Sequence, residues 1–106
     1  MSAPKNKMID LNELCARIDS ANVYALARRT PLELAEKLST KYGRKIWLKR
    51  EDTQDVFSFK IRGATNRIAG MSDADRARGV CAASAGNHAQ GLAAAAAYYK
   101  TDALIF

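Results

Sequence analysis

Two short segments of this chain carry residue types that could do chemistry. The first is residues 58–64 (SFKIRGA), in which Lys60 stands between Phe59 and Ile61. An amine flanked by an aromatic and an aliphatic side chain can lose hydration, which favours its neutral, nucleophilic form. A neutral lysine amine can form a Schiff base with an aldehyde, and this is the chemistry of pyridoxal phosphate.

The second segment is residues 84–88 (SAGNH), a polar turn between a predicted strand and a predicted helix. Ser84, Ala85 and Gly86 are small, so several backbone N–H groups at the helix start can point at one anion, such as a substrate carboxylate. Asn87 adds an amide that could bond a phenolic oxygen on a cofactor ring. Without the lysine segment, such a turn is more often a tight connection than an anion site.

His88 is the only histidine of the chain and could act as a general base. Its position directly after Asn87, at a helix start, favours a capping or supporting role instead. No carboxylate or cysteine stands at metal-ligand spacing from it, so the sequence predicts no metal site. Gly91, one turn later, is expected to permit close packing of this helix against the sheet.

Two acidic residues precede the lysine segment. Glu51 and Asp52 could orient that segment or could pair with Lys49 and Arg50. Because exposed ion pairs are common and weak, we interpret these residues as a solvated ion pair.

The elements that must position these residues alternate between helix and strand. Helices are predicted at residues 11–18, 31–43, 59–69, 72–79 and 88–99, and strands at residues 45–49, 80–83 and 103–106. This alternation predicts an α/β fold, a parallel sheet with right-handed crossovers and flanking helices. Ligands of such sheets collect beyond the carboxyl ends of the strands, where both segments would lie.

The predicted helix starts are marked by capping residues. Asp10, Thr30 and Ser58 each offer a side-chain oxygen to the helix that follows, and Pro31 suits a first turn. Residues 72–75 resemble a capping box. With Ser58 as the cap, Lys60 falls in the first helical turn, where the positive end of the helix dipole further disfavours a charged amine.

The composition excludes several functional classes. The chain has 106 residues, of which 48% are hydrophobic and 26% charged, as expected for one small globular domain. Its formal net charge is +6, but the cations are dispersed among acids, so we predict no nucleic-acid binding. The alanine run at 93–97 is far shorter than the ~20 residues of a membrane span. With no signal peptide indicated, we expect a cytoplasmic protein.

The cysteines and the two ends of the chain give further expectations. Cys15 and Cys81 lack metal-ligand spacing and are interpreted as small buried hydrophobes in a reducing compartment. Residues 1–8 are predicted to form a mobile tail. The apolar run 103–106 indicates a buried strand with no turn behind it, so we expect this chain to be the front portion of a longer protein.

Three segments together carry a resemblance to a known family: residues 49–52 (KRED), residues 58–64, and residues 83–91 (ASAGNHAQG), with Thr30-Pro31-Leu32 ahead of them. They resemble the serine/threonine dehydratases of the tryptophan-synthase-β-like pyridoxal phosphate fold, fold type II. Within that family the chain is most similar to the front end of the enzymes that convert L-threonine to 2-oxobutanoate and ammonia in isoleucine biosynthesis. The resemblance implies a tail and short helix at 1–22 and an incomplete catalytic domain at 23–106.

The resemblance also implies roles for single residues. Lys60 would bind pyridoxal 5'-phosphate covalently and then move protons at the substrate α-carbon, as the catalytic residue. Asn87 would bond the 3′ oxygen of the cofactor, and Phe59 would pack beside its pyridine ring. The substrate carboxylate would be held by the turn, which comprises Ser84, Ala85, Gly86, Asn87 and His88.

The reaction type depends on Ala85. Related enzymes that racemise serine tend to have a serine there, and a racemase needs a second acid or base on the opposite face of the substrate. Alanine cannot supply one, so this position favours dehydration. It does not separate threonine from serine as substrate, and a serine dehydratase or related pyridoxal phosphate lyase remains an alternative.

Several parts of the family's machinery have no counterpart in these 106 residues. They are a glycine-rich phosphate cup, a small polar residue opposite the pyridine nitrogen and a C-terminal regulatory domain. We therefore expect the chain alone to be inactive or nearly so, and the full-length form to be a homo-oligomer acting on a small amino acid. The alternative from another class is a non-catalytic truncated fragment with only an interaction role.

Overall fold

A computed structural model describes residues 9–106, and the tail predicted at 1–8 lies outside the described residues. The helices are α1 (Leu11–Asp19), α2 (Glu36–Tyr42), α3 (Lys60–Ala69), α4 (Asp73–Ala77) and α5 (Asn87–Tyr98). The strands are β1 (Leu32–Leu34), β2 (Trp47–Lys49), β3 (Val80–Ala82) and β4 (Ala103–Ile105). Among the described residues, no helix combines the length and apolar character needed to cross a bilayer.

The strands form two small sheets rather than one. β3 and β4 pair in parallel, with Cys81 opposite Leu104, and α5 makes the crossover between them. This pair confirms the predicted parallel arrangement. β2, expected in the same sheet, instead pairs antiparallel with β1, with Glu33 opposite Leu48.

The predicted helix at 31–43 is wrong in its first part. Leu32–Leu34 is strand β1, and α2 begins only at Glu36. The ladder with β2 satisfies the backbone here, and it is extended by the Arg50 N–H, which donates to the Pro31 carbonyl at 2.9 Å. Thr30 therefore caps no helix. The end of α2 is as predicted, at Gly43, whose φ of 61° is the left-handed conformation of a helix C-cap.

Two of the predicted helix caps are confirmed, and Ser58 joins Thr30 as one that is wrong. The Asp10 carboxylate accepts from the Asn12 N–H at 2.9 Å, and the Ser72 hydroxyl accepts from the Asp75 N–H at 3.1 Å. Ser58 does not cap α3, whose N-cap position is held by Phe59 without a side-chain hydrogen bond.

The core lies between α3 and α5 and rests on the β3–β4 sheet. Its buried members are Ala64 and Ile68 of α3 with Leu92, Ala95 and Ala96 of α5. Because the alanine side chains of α5 are small, the two helices pack closely along their length. Because Lys60 begins α3 and residues 84–88 lead into α5, this packing brings both segments to one end of the helix pair.

Gly91 sets how closely α5 approaches the first turn of α3. A Cβ on Gly91 would lie 2.9 Å from the carbonyl carbon of Lys60 and 3.0 Å from its carbonyl oxygen. Real Cβ atoms do not approach backbone this closely, so only glycine fits without displacement. The sequence suggested that Gly91 permits packing against the sheet, but its close neighbour is the backbone of Lys60.

Two predictions of burial are wrong. Cys15 and Cys81 are both free thiols, and both are exposed. The strand at the end of the chain is also open, with Leu104 58% exposed. The physical reason is that α1 buries none of its residues, while β3 and β4 form a sheet of two strands with no described element on its outer face.

Gly91 and Gly63 form a matched pair of glycines inside helices, because a Cβ on Gly63 would meet no atom within 4 Å. We expect Gly63→Ala to raise the free energy of unfolding by ~0.5–1 kcal/mol through helix propensity. Gly91→Ala should lower it by ~1–3 kcal/mol, because the added methyl group overpacks against the Lys60 backbone. Urea unfolding followed by circular dichroism measures both, and equal stabilisation by the two substitutions would contradict the close approach.

Candidate functional site

The junction of α3 and α5 unites the two segments singled out from the sequence. Lys60 is the first residue of α3, and its backbone lies against Gly91. Gly91 follows Asn87, the first residue of α5, by one helical turn, so the two occupy the same face of α5. The lysine and the polar turn therefore border the same junction.

The amine of Lys60 is exposed, contrary to expectation. Its Nζ lies 5.2 Å from the centroid of the Phe59 ring, within cation–π range, but Phe59 is itself 59% exposed. Ile61 is buried in the core, about 100° around the helix from Lys60, and so does not cover the amine. The predicted desolvation by these two neighbours is wrong for the described residues.

The turn at 84–88 is organised by its first residue. The Ser84 hydroxyl oxygen accepts from the N–H groups of Gly86 at 3.4 Å and Ala89 at 3.2 Å. The N–H groups of Asn87 and His88, at the start of α5, have no acceptor within the described part of the chain. Free N–H groups at a helix N-terminus favour an anion, so this turn can hold a carboxylate.

His88 is exposed and lines a cleft between α3, β3 and α5, together with Arg67 and Cys81. Across residues 9–106, no three His, Cys, Asp or Glu side chains come together in a way that could hold a metal ion. This end of the helix pair therefore offers an amine, hydroxyls, the Asn87 amide, the His88 imidazole and backbone N–H groups.

Ser58 adds an unmet hydrogen-bonding group beside the lysine. Its hydroxyl is buried and has no partner among the described residues. Leaving a buried hydroxyl unpaired costs ~1–3 kcal/mol, which a bound polar ligand would remove. The preceding residue, Phe57, has a φ of 57°, which is unusual for an aromatic residue and typical of functional sites. An amine for an aldehyde, a free hydroxyl and unpaired N–H groups for anionic groups together fit pyridoxal phosphate.

Glu51 was singled out from the sequence, but the polar cluster that it forms with Arg62, Thr30 and Gln54 was not. Arg62 donates to both carboxylate oxygens of Glu51, with Nε–Oε2 and Nη2–Oε1 distances of 2.8 and 2.7 Å. The Thr30 hydroxyl and the Gln54 amide donate to the same carboxylate. The Arg62 and Glu51 side chains are only 22% and 14% exposed. The interpretation of Glu51 as a solvated ion pair is thus wrong.

The neighbouring carboxylate behaves as the sequence suggested. Asp52 pairs with Arg50 at 2.8 Å, and its side chain is largely exposed. No local spacing distinguishes Glu51 from Asp52. Arg62 reaches Glu51 only because the loop at 51–59 folds back on itself, and this requires tertiary structure.

The contacts of Glu51 control its ionisation. Hydrogen bonds from Arg62, supported by those from Thr30 and Gln54, lower the pKa of Glu51 to about 2. The same pairing raises the pKa of Arg62 above its ordinary value. Both groups are therefore charged at neutral pH, and the start of α3 is held by an ion pair that is hydrogen-bonded at both carboxylate oxygens.

Known proteins that are similar to this chain are pyridoxal-phosphate dependent enzymes and threonine dehydratases. Residues 23–106 match a family model described as pyridoxal-phosphate dependent enzyme. Threonine dehydratase 1 biosynthetic, chloroplastic, of Solanum lycopersicum is 50% identical over 93 residues, which are 88% of this chain and 15% of that protein. L-threonine dehydratase biosynthetic IlvA of Pasteurella multocida is 54% identical over 86 residues, 81% of this chain and 17% of that protein. The chain spans less than a fifth of the length of these relatives.

Solved structures agree with the sequence relatives. The processed form of threonine deaminase isoform 2 from Solanum lycopersicum aligns with a TM-score of 0.82 at 47% identity, over 92% of this chain and 28% of that one. Maize serine racemase aligns with a TM-score of 0.73 at 35% identity, over 90% of this chain and 28% of that one. Such neighbours are fold-type II enzymes, which confirms the predicted fold class, and this chain covers part of that fold. With the resemblance carried by residues 58–64 and 83–91 thus confirmed, the chain belongs to the family of pyridoxal-phosphate dependent enzymes.

Proposed function

We propose that this chain is the front portion of a pyridoxal-phosphate dependent lyase that converts L-threonine to 2-oxobutanoate and ammonia. The proposal rests on Lys60, which begins α3 at the junction with α5, beside the turn that leads into Asn87. It is supported by relatives named threonine dehydratase, at 50% and 54% identity. In this proposal residues 1–22 are a leading segment, and residues 23–106 are an incomplete catalytic domain.

Each residue of the junction has a role that follows from its chemistry. Lys60 would supply the amine that binds the cofactor aldehyde and would then carry the proton removed from the substrate α-carbon. Phe59, whose ring is exposed, would contact the pyridine ring, and the Asn87 amide would donate a hydrogen bond to the 3′ oxygen. When bound, pyridoxal phosphate supplies the electron sink that stabilises the carbanion.

The substrate carboxylate is bound by the turn at 84–88. The unpaired N–H groups of Asn87 and His88 are donors for it, while Ser84 keeps the turn in shape through its bonds to Gly86 and Ala89. The small side chains of Ala85 and Gly86 leave the carboxylate free access to these donors. An α-amino acid is the substrate class that combines such a carboxylate with an amine for the cofactor.

Ala85 favours a lyase over a racemase. Maize serine racemase is among the solved neighbours, at 35% identity. Racemisation requires a second acid or base on the opposite face of the substrate, and the methyl group of Ala85 cannot transfer a proton. The β-hydroxyl of threonine would then leave as water after α-proton loss, and hydrolysis of the resulting unsaturated amine would release ammonia and give 2-oxobutanoate.

The wider setting is part of the same proposal. The word biosynthetic in the names of the relatives supports a role in isoleucine biosynthesis. The two free thiols, Cys15 and Cys81, support a reducing compartment such as the cytoplasm. The full-length form is proposed to be a homo-oligomer, as is common among soluble enzymes.

A non-catalytic fragment is the second candidate, because the Lys60 amine is exposed within the described residues. Incubation of the chain with millimolar pyridoxal phosphate and reduction with borohydride separates the two. We expect a pyridoxyl adduct on Lys60, located by peptide mass spectrometry and lost in Lys60→Ala. Lys45→Ala, which removes another exposed lysine, should leave it unchanged. An adduct on Lys60 no more abundant than that on Lys45 would support the fragment instead.

Catalysis can be tested in a hybrid in which residues 23–106 replace the matching segment of the Pasteurella multocida relative. We expect this hybrid to form 2-oxobutanoate from L-threonine, and Lys60→Ala to lower turnover by at least about 10³-fold, since both covalent binding and proton transfer are lost. A coupled assay for 2-oxobutanoate measures this, with the Lys45→Ala hybrid as the control. Turnover of Lys60→Ala within about tenfold of the parent hybrid would refute the assignment.

A further inference from the structure

The start of α3 has little to hold it in place locally. Phe57 is 77% exposed with its backbone in the left-handed region, and Phe59 is also exposed. The helix has no side-chain cap at its N-terminus. The rotation of the first turn, and with it the direction of the Lys60 side chain, must therefore be fixed by contacts from elsewhere.

A group of polar side chains provides such contacts. We call it the Glu51 cluster, and it comprises Glu51, Gln54, Thr30 and Arg62. Gln54 is 1% exposed, and its amide bonds both the N–H and the carbonyl of Arg28, at 2.8 and 2.9 Å. Because Gln54 and Thr30 also donate to Glu51, the carboxylate is fixed to the segment that precedes β1.

Arg62 transmits this fixed position to α3. Its guanidinium is bonded to both oxygens of Glu51 and also lies 5.3 Å from the centroid of the Tyr24 ring. Two hydrogen bonds from one planar guanidinium set its orientation as well as its distance. A rotation of the first turn of α3 would break both bonds.

The Glu51 cluster and Gly91 restrain the first turn of α3 through different atoms. Lys60 and Arg62 are two residues apart, about 200° around the helix axis. The close approach of Gly91 restrains the backbone of Lys60, and the Glu51 cluster restrains the helix through the Arg62 side chain. Together with the burial of Ile61, these two contacts restrain the first turn of α3 and therefore the direction in which the lysine side chain leaves it.

We propose that Glu51 is a positioning residue for Lys60, acting through Arg62 on the first turn of α3. The inference rests on the proposed function, in which Lys60 is the amine that reacts with the cofactor. Glu51 touches neither the cofactor nor the substrate in this role. Glu51 increases the fraction of time that the Lys60 amine spends in one orientation at the junction with α5. This orientation favours reaction at Lys60 over reaction at other exposed lysines.

The ion pair also has a definite pH dependence. The pKa of Glu51 falls from 4.5 to about 2 on folding, so the folded state binds this proton less well than the unfolded state does. Arg62 is the charged partner of the Glu51 carboxylate, and the other two partners of this carboxylate, Thr30 and Gln54, are neutral. The stabilisation by Glu51 is therefore complete above about pH 5 and is lost as the pH falls towards 2.

We expect the urea midpoint of Glu51→Gln to lie below that of the parent chain at pH 7, and the gap to close between about pH 4.5 and pH 2. Asp52→Asn is the matched control, because Asp52 is the adjacent carboxylate and makes an exposed pair with Arg50. Its midpoint should stay close to that of the parent at neutral pH. A gap for Glu51→Gln that is the same at pH 6 and at pH 3 would contradict the role assigned to this carboxylate.

The positioning role is tested in the 106-residue chain by the ratio of borohydride-trapped pyridoxyl adduct at Lys60 to that at Lys45. We expect a ratio well above one in the parent and in Asp52→Asn, and a fall of about fivefold or more in Glu51→Gln. Arg62→Lys keeps the charge but loses the paired hydrogen bonds, so it should also lower the ratio. Glu51→Asp should restore part of it. Ile68→Val, a mild core change, controls for a general loss of stability.

The outcomes distinguish a failure of the function proposed for Lys60 from a failure of the positioning role of Glu51. A parent ratio near one overturns the proposed function of Lys60. A parent ratio well above one that neither Glu51→Gln nor Arg62→Lys changes overturns the positioning role alone. An equal fall in Ile68→Val would assign the effect to stability and would also overturn it. If Glu51→Gln does not fold, Arg62→Lys carries the test, with hydrogen exchange at the Arg62 N–H, which donates to the Phe59 carbonyl at 3.0 Å, as the second readout.

Discussion

The close packing of α5 on the first turn of α3 is the contact on which the arrangement of this chain depends. Gly91 allows the backbone of Lys60 to lie where any side chain would collide with it. Ala95 and Ala96 extend this face of small side chains along α5, and Ile68 of α3 packs against them. Because the two helices can approach each other, a lysine at the start of one and a polar turn at the start of the other border a single junction. A bulkier helix surface would separate them by several ångströms, and no local feature of either segment would bring them back.

The apolar core holds the helix pair, and a polar cluster helps to connect that pair to the part of the chain ahead of it. The β1–β2 sheet and α2 lie ahead of the lysine segment and bury none of their residues in the core between α3 and α5. Gln54, Glu51 and Arg62, all of which are largely shielded from water, form one of the links to α3. The packing of Leu26 on the core and the hydrogen bond from the Asn22 N–H to the Asn66 side chain form others. A charge in this position must be paired and hydrogen-bonded, and Glu51 has a donor on each of its oxygens. Charged contacts have defined directions, whereas apolar contacts do not, so this cluster is well suited to fix an orientation.

Several apolar and functional groups are exposed because no described element covers them. β3 and β4 form a sheet of two strands, and the described elements cover only the face on which α3 and α5 lie. Leu104 is consequently open to solvent. Phe59 and Lys60, at the start of α3, are also exposed, because no described element packs over their side chains. The chain spans 28% of the solved threonine deaminase that it resembles. The chemistry of Lys60 thus depends on its environment as much as on its own segment.

The sequence by itself determined the features that depend on near neighbours. Asp10 and Ser72 cap helices through N–H groups two and three residues away, Gly43 ends a helix by its left-handed backbone, and residues 58–64 with residues 83–91 identify the family. Tertiary structure alone decided the features that join distant residues. Leu32–Leu34 is a strand because it pairs with Trp47–Lys49. Arg62 forms an ion pair with Glu51 instead of extending into solvent. The close neighbour of Gly91 is the backbone of Lys60 rather than the sheet. Spacing along a chain encodes which residues share a turn or a face, but it does not encode which distant backbone will supply a hydrogen-bond ladder, a counter-charge or a close contact.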